Sequence, residues 1–214
     1  FAEFDKMLVE VPLAQWQAYL RINAIDGMAP YLADKFNDER FDFYARTVRG
    51  QKDQKPRWKR VMDTVENTAG EALGQLYVKQ YFPAESKAAM ETLVGNLSQA
   101  LKARIETLEW MSPETKAKAM EKWASFTPKI GYPDKWCSWD GLATQRDDYV
   151  QNVLAAAKFN HAYEMAKIGK PVDRSEWGMS PQTVNAYYNP LMNEIVFPAA
   201  ILQPPFFDAK ADPA

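Results

Sequence analysis

One histidine and one cysteine are all that this 214-residue sequence holds of the two side chains most used for metal binding and nucleophilic attack. A lone cysteine, Cys137, excludes an internal disulfide. A lone histidine, His161, excludes the His-Glu-x-x-His arrangement, in which two imidazoles one helical turn apart face a single zinc ion. No Gly-x-Ser-x-Gly elbow accompanies the histidine, so the usual local sign of a Ser-His-Asp hydrolase is missing as well. No run of about 18 apolar residues occurs, so no segment reads as a membrane-spanning helix. The formal net charge of -2 gives no general electrostatic reason to bind nucleic acid or an anionic membrane. Internal repeats and low-complexity tracts are also lacking.

What is present is a globular composition, 47% apolar and 25% charged, with enough chain for one or two domains. The first two thirds read as successive helices. Pro12, Pro30 and Pro56 each precede a helical segment, the place where a proline loses no needed hydrogen bond. Leu13, Trp16, Leu20 and Ala24 share one face of the first of these, and Leu32, Phe36, Phe43 and Val48 are the expected core of the second. From Pro83 to Met111 the residues Met90, Leu93, Leu97, Leu101, Ile105 and Leu108 recur at helical spacing. Ser112-Pro-Glu114 supplies a cap, a proline at the first helical position and an acid in the first turn. A loop is expected from Thr127 to about Gln145, and a further helix from Arg146 to Ile168, ended by Gly169 and Pro171. Two short β segments, Gln182–Tyr188 and Glu194–Phe197, then flank a hairpin loop. Phe1 and the polar tail after Asp208 read as interior positions of a longer protein.

Several residues carry both a chemical reading and a plain one. His161 with Glu164 three residues on could touch a metal, but a packed or surface histidine is the default. Cys137, between Trp136 and Trp139, reads as a packed thiol; a nucleophilic one wants a positive, partly exposed site. Arg46 to Arg60 holds seven basic residues against the single acid Asp53. A phosphate-binding patch is conceivable there, and a solvated loop paired with acids is the plainer reading. Gly70-Glu-Ala-Leu-Gly74 permits close helix packing.

The hairpin is more telling. Along Thr183–Tyr188, alternate side chains face opposite sides. An exposed edge strand offers unpaired backbone groups to an extended peptide. The Asn185 amide can both donate to and accept from a peptide backbone. Periodicity alone favours an ordinary hairpin covering a core.

The segment Val184-Asn-Ala-Tyr-Tyr-Asn-Pro-Leu-Met-Asn-Glu-Ile-Val-Phe-Pro-Ala-Ala-Ile-Leu-Gln-Pro-Pro-Phe-Phe207 resembles the stretch just upstream of the zinc helix in neprilysin-like (M13) metallopeptidases. Pro56-Arg-Trp-Lys-Arg60, Gly74-Gln-Leu-Tyr-Val78, Leu108-Glu-Trp-Met111 and Ile130-Gly-Tyr-Pro133 are similar to further landmarks of that family, in the same order. The resemblance implies a two-lobed, mostly helical zinc endopeptidase that cuts oligopeptides in a closed cavity. It implies that Asn185 and Ala186 hold the substrate backbone beside the scissile bond. It also implies that Ile201 and Phe206 line the apolar pocket for the residue after the cut. The family's zinc ligands have no counterpart here, so no catalytic or metal-binding residue is expected in this sequence. Val61 stands where animal relatives carry a cysteine, which points to a bacterial member.

The resulting expectation is a mainly α chain, the helical lobe of a two-lobed metallopeptidase, with a short β-hairpin near the C-terminus. Residues 1–170 would form the helical lobe segment and interlobe helices, and 171–214 the start of the catalytic lobe. Its partners would be oligopeptide substrates and the remaining C-terminal catalytic part of the same protein, which would carry the zinc. The alternative is a non-catalytic helical module that captures peptides on the same edge. The resemblance suits an extracytoplasmic, periplasmic protein, with the cytoplasm as the other option.

Overall fold

A computed structural model describes residues 1–212, and they divide into two compact units. The first comprises residues 1–62 with 142–159; the second comprises 63–141 with the chain from Asn160 onward. Two of the three boundaries fall inside helices, at Arg57–Tyr81 and Tyr149–Met165.

The first unit contains α1 (Ala2–Glu10), α2 (Leu13–Met28), a 3-10 turn at Ala29–Tyr31 and α3 (Asp34–Arg40), which runs on as a π-helical stretch over Phe41–Thr47. The start of α4 (Arg57–Tyr81) and most of α7 (Tyr149–Met165) complete it. Pro12 and Pro30 sit at the helix starts that the sequence indicated. Most of the core assigned to these helices by periodicity is not observed, although Trp16 and Leu32 are half-buried. Leu13 is 72% exposed and Leu20 61%, while Phe36, Phe43 and Val48 also face outward. Side-chain hydrogen bonds tie several of its elements together. Arg40 Nε donates to the Asp26 carbonyl at 2.9 Å, and the Tyr44 hydroxyl donates to the Asp26 carboxylate at 3.3 Å. Buried Asn37 accepts from Arg60 at 2.6 Å and donates to Gln54 at 3.2 Å. Arg60 and Arg46, the latter paired with Asp42, thus spend part of the basic stretch on local contacts.

The second unit holds the rest of α4 and α7, α5 (Ala84–Thr107), α6 (Pro113–Ala124) and a three-stranded sheet. The cap on α6 forms as the sequence indicated, with Ser112 Oγ accepting the Thr115 N–H at 3.2 Å. At Ala69 the backbone of α4 leaves helical geometry. Asn160 on α7 donates its amide to the neighbouring Thr68 carbonyl at 3.0 Å, a side-chain partner for backbone at the kink. The strands are β1 (Thr127–Gly131), β2 (Tyr187–Asn189) and β3 (Glu194–Pro198), in the order β1-β3-β2. β1 lies within the stretch expected to be loop. It forms because it pairs in parallel with β3, Thr127 opposite Glu194, a partner far along the chain. β2 pairs antiparallel with β3 from the other side, Tyr188 opposite Ile195.

The core of this unit is Phe82, Met90, Ile130, Ala199 and Leu202. Gly131 has φ +78° and closes on the Phe82 ring, where an added Cβ would lie 2.6 Å from Phe82 Cε1. Only a glycine accepts both that backbone angle and that approach without strain. Leu97 and Leu101, expected in the core, instead line an apolar groove of about 470 Å³ between α5, α6 and the sheet, with Trp123, Phe126, Ile195 and Phe197.

Candidate functional site

The site is built from the chain that leads into β2. β2, like β1, is an edge strand of the sheet, so one of its edges has no strand partner among the described residues. The ladder begins at Tyr187, later than the Gln182 start expected from alternation. Residues 182–186 are instead turned and anchored. The Gln182 amide donates to the Glu66 carboxylate and, at 2.8 Å, to the Gly70 carbonyl. The Thr183 N–H bonds the Ser180 carbonyl and the Asn185 N–H bonds the Thr183 carbonyl, each at 3.0 Å.

Asn185 is exposed and Ala186 half-buried. The Asn185 carboxamide oxygen accepts the Ala186 N–H at 2.8 Å. Its NH2 group has no hydrogen bond among the described residues, and the oxygen keeps a second lone pair, so the side chain still presents a donor and an acceptor. The Ala186 carbonyl lies where the chain enters the edge strand.

Ile201 and Phe206 follow β3. Ile201 is half-buried against the core cluster, beside Phe207, whereas Phe206 is 67% exposed. The Ala200 N–H donates to the Pro181 carbonyl at 2.9 Å. This bond ties the segment preceding Ile201 to the segment preceding Asn185.

The approach segment, residues 173–182, is held by Gly70 and Gly74, which the sequence reading singled out, and by further groups that it did not. Gly70 and Gly74 on α4 do permit a close approach, but the partner is this segment and not a helix. An added Cβ at Gly74 would stand 2.6 Å from Pro181 Cδ, and at Gly70 it would meet Ser180. Lys129 Nζ lies 2.7 Å from Glu194 Oε2 and donates to the Glu176 carbonyl at 2.7 Å. Both side chains are buried, 8% and 2% exposed. The Gly178 N–H donates to the Tyr187 hydroxyl at 2.8 Å. The signal for the ion pair was available, since Lys129 and Glu194 interrupt otherwise apolar strand segments, but nothing local joined them.

Glu176 also accepts from the Tyr163 hydroxyl at 2.6 Å and pairs with Lys167 at 3.0 Å. Burial opposes its ionisation, yet these two donors hold its carboxyl below the ordinary value. For Cys137, burial first, then the Glu71 and Glu176 carboxylates, push the thiol up. A thiol so placed is a poor nucleophile at neutral pH. His161 is exposed on α7. Among the described residues no group of three His, Cys, Asp or Glu side chains could hold a metal ion. The side chains present do not fit a zinc site, and no chemical step at a metal follows from them.

Two models of peptidase family M13 match the sequence, the N-terminal one over residues 1–133 and the peptidase one over 185–214. The chain belongs to peptidase family M13. It is 34% identical over 197 residues to an endothelin-converting enzyme homolog of Locusta migratoria, covering 89% of this chain and 27% of that protein. Human neprilysin is 34% identical over 175 residues, 78% of this chain and 23% of its own length. Among solved structures, the zinc metalloprotease Zmp1 of Mycobacterium tuberculosis, in complex with inhibitor, superposes with a TM-score of 0.87 at 48% identity. That match covers 98% of this chain and 32% of Zmp1. PepO from Lactobacillus rhamnosis HN001 gives 0.83 at 33% identity, over 94% of this chain and 32% of PepO. The chain thus spans between about a quarter and a third of the length of these M13 relatives.

Proposed function

We propose that this M13 chain is the substrate-aligning segment of a zinc-dependent endopeptidase that hydrolyses oligopeptides. In this reading Asn185 and Ala186 hold the backbone of an extended peptide, and Ile201 with Phe206 contacts the side chain after the cleaved bond. Residues 171–214 belong to the catalytic lobe and 1–170 to the helical lobe and interlobe helices; residues 213–214 lie outside those described. The metal is held by other parts of the complete enzyme, which works outside the cytoplasm.

The observation that carries the reading is the open edge of β2 entered through an exposed asparagine whose NH2 group has no protein partner among the described residues. A strand edge binds main chain irrespective of sequence, and a fixed amide donor sets the register of the guest. Such contacts raise kcat/KM by holding the peptide in place at the site. The test is Asn185→Ala in the complete enzyme. Loss of one hydrogen bond worth about 0.5–1.5 kcal/mol should lower kcat/KM about 2- to 13-fold, with the zinc content unchanged. Unaltered peptide turnover would remove Asn185 from the site.

A further inference from the structure

Asn185 itself makes few contacts, yet the chain on both sides of it is fixed. Upstream, Pro181 is fully buried, seated on Gly74 and bonded through its carbonyl to Ala200. Downstream, β2 is hydrogen-bonded to β3. Lys129 reaches both sides. From the middle of β1 its ammonium binds the Glu194 carboxylate at the first residue of β3 and the Glu176 carbonyl in the approach segment. Two residues past Glu176, the Gly178 N–H is bonded to the hydroxyl of Tyr187, the residue that opens β2. Arg174 in the same segment donates to the Met192 carbonyl in the hairpin loop.

We infer that the buried Lys129–Glu194 pair is a positioning device for substrate recognition: Lys129, through the Glu176 carbonyl, and Tyr187, through Gly178, clamp the approach segment to the hairpin and so fix where Asn185 meets the peptide. This rests on the reading of Asn185 given above. A fold needs no such pair for stability alone. Apolar residues of similar volume replace a buried ion pair at little cost or with a gain, whereas removing one partner costs about 3–5 kcal/mol. The pair differs from apolar packing in direction. An ammonium has three donors on one centre and can bind a strand carboxylate and a loop carbonyl at once. A methionine in its place fills the volume and leaves the Glu176 carbonyl without that tether.

The distinction sets the experiment, made in the complete enzyme with a fluorogenic peptide. Lys129→Met alone strands a buried carboxylate and serves only as the reference for misfolding. The informative variant is Lys129→Met with Glu194→Leu, which removes both charges. Its melting temperature and zinc content should match the parent, while KM rises about tenfold and kcat changes little, the mark of lost ground-state positioning. Tyr187→Phe, which deletes one hydroxyl, should raise KM in the same direction and decides the matter if the double variant does not fold. The discriminating readout is coupling. In an Asn185→Ala background neither change should raise KM further, because both act through Asn185. If the effects instead add in full, or KM does not move, Lys129 and Tyr187 are structural only and the inference fails. If Asn185→Ala is itself silent, the reading of the edge fails, which is a different result.

Discussion

Replacing Gly74 by alanine sets two effects of known size against each other. Gly74 is a buried position within α4. In a helix interior alanine is favoured over glycine by ~1 kcal/mol. Against this, the new Cβ would lie 2.6 Å from Pro181 Cδ, 2.9 Å from Gln182 Oε1 and 3.0 Å from Pro181 Cγ. Overpacking a well-filled site costs ~1–3 kcal/mol. Two of the three atoms belong to the rigid, fully buried Pro181 ring, whose carbonyl is bonded to Ala200, so that neighbour cannot rotate aside. Steric cost should therefore exceed propensity, for a net loss of up to about 2 kcal/mol. Gly95 provides the control, since it sits inside α5 and an added Cβ meets nothing within 4 Å. Gly95→Ala should gain ~0.5–1 kcal/mol. Urea midpoints followed by circular dichroism measure both. The same substitution should thus shift stability in opposite directions at the two sites. A Gly74→Ala midpoint at or above that of the parent would refute the packing of Pro181 on α4.

Three further outcomes are expected. Phe206 is largely exposed, so Phe206→Ala should leave stability within about 0.5 kcal/mol of the parent. It should weaken the preference for bulky apolar residues after the cut; a cleavage profile identical to the parent's, read by mass spectrometry of peptide digests, would count against its pocket role. Glu176 titrates below its ordinary value near 4.5 when folded, so its contribution is complete above that value and is lost as pH falls through the lower, folded one. Tyr163 is shifted up chiefly by its bond to Glu176, so its share is complete below its ordinary value near 10 and is lost above it. Melting curves of the parent should therefore fall more steeply than those of Glu176→Gln on the acid side, and superimposable acid limbs would refute this. Cys137, its thiol pushed up by burial and two carboxylates, should react with iodoacetamide at neutral pH several-fold more slowly than free cysteine; an equal rate would show an accessible thiolate.

The sequence was a good guide wherever structure depends on near neighbours. Pro83 and Pro113 mark helix starts, Ser112 caps α6, and β3 begins at Glu194 as its β-prone residues indicate. A capping side chain and the amide it bonds are three residues apart, so a short window contains the whole interaction. The family was legible for a related reason: its landmarks are short strings, and they occur here in order. The same windows misjudged burial in the first unit, where Leu13 and Leu20 share a helix face yet stay exposed. Periodicity tells which side chains lie together on a helix, not what, if anything, packs on them.

Residue types and order along the chain determined the helices, the hairpin, the M13 kinship and the four residues worth testing. Tertiary structure alone decided that Thr127–Gly131 is a strand, that Gly70 and Gly74 receive a loop, and that Lys129 meets Glu194. Each of these joins residues more than sixty positions apart. Their energies come from close approach and burial, and chain closure, which no local pattern encodes, is what brings such residues together.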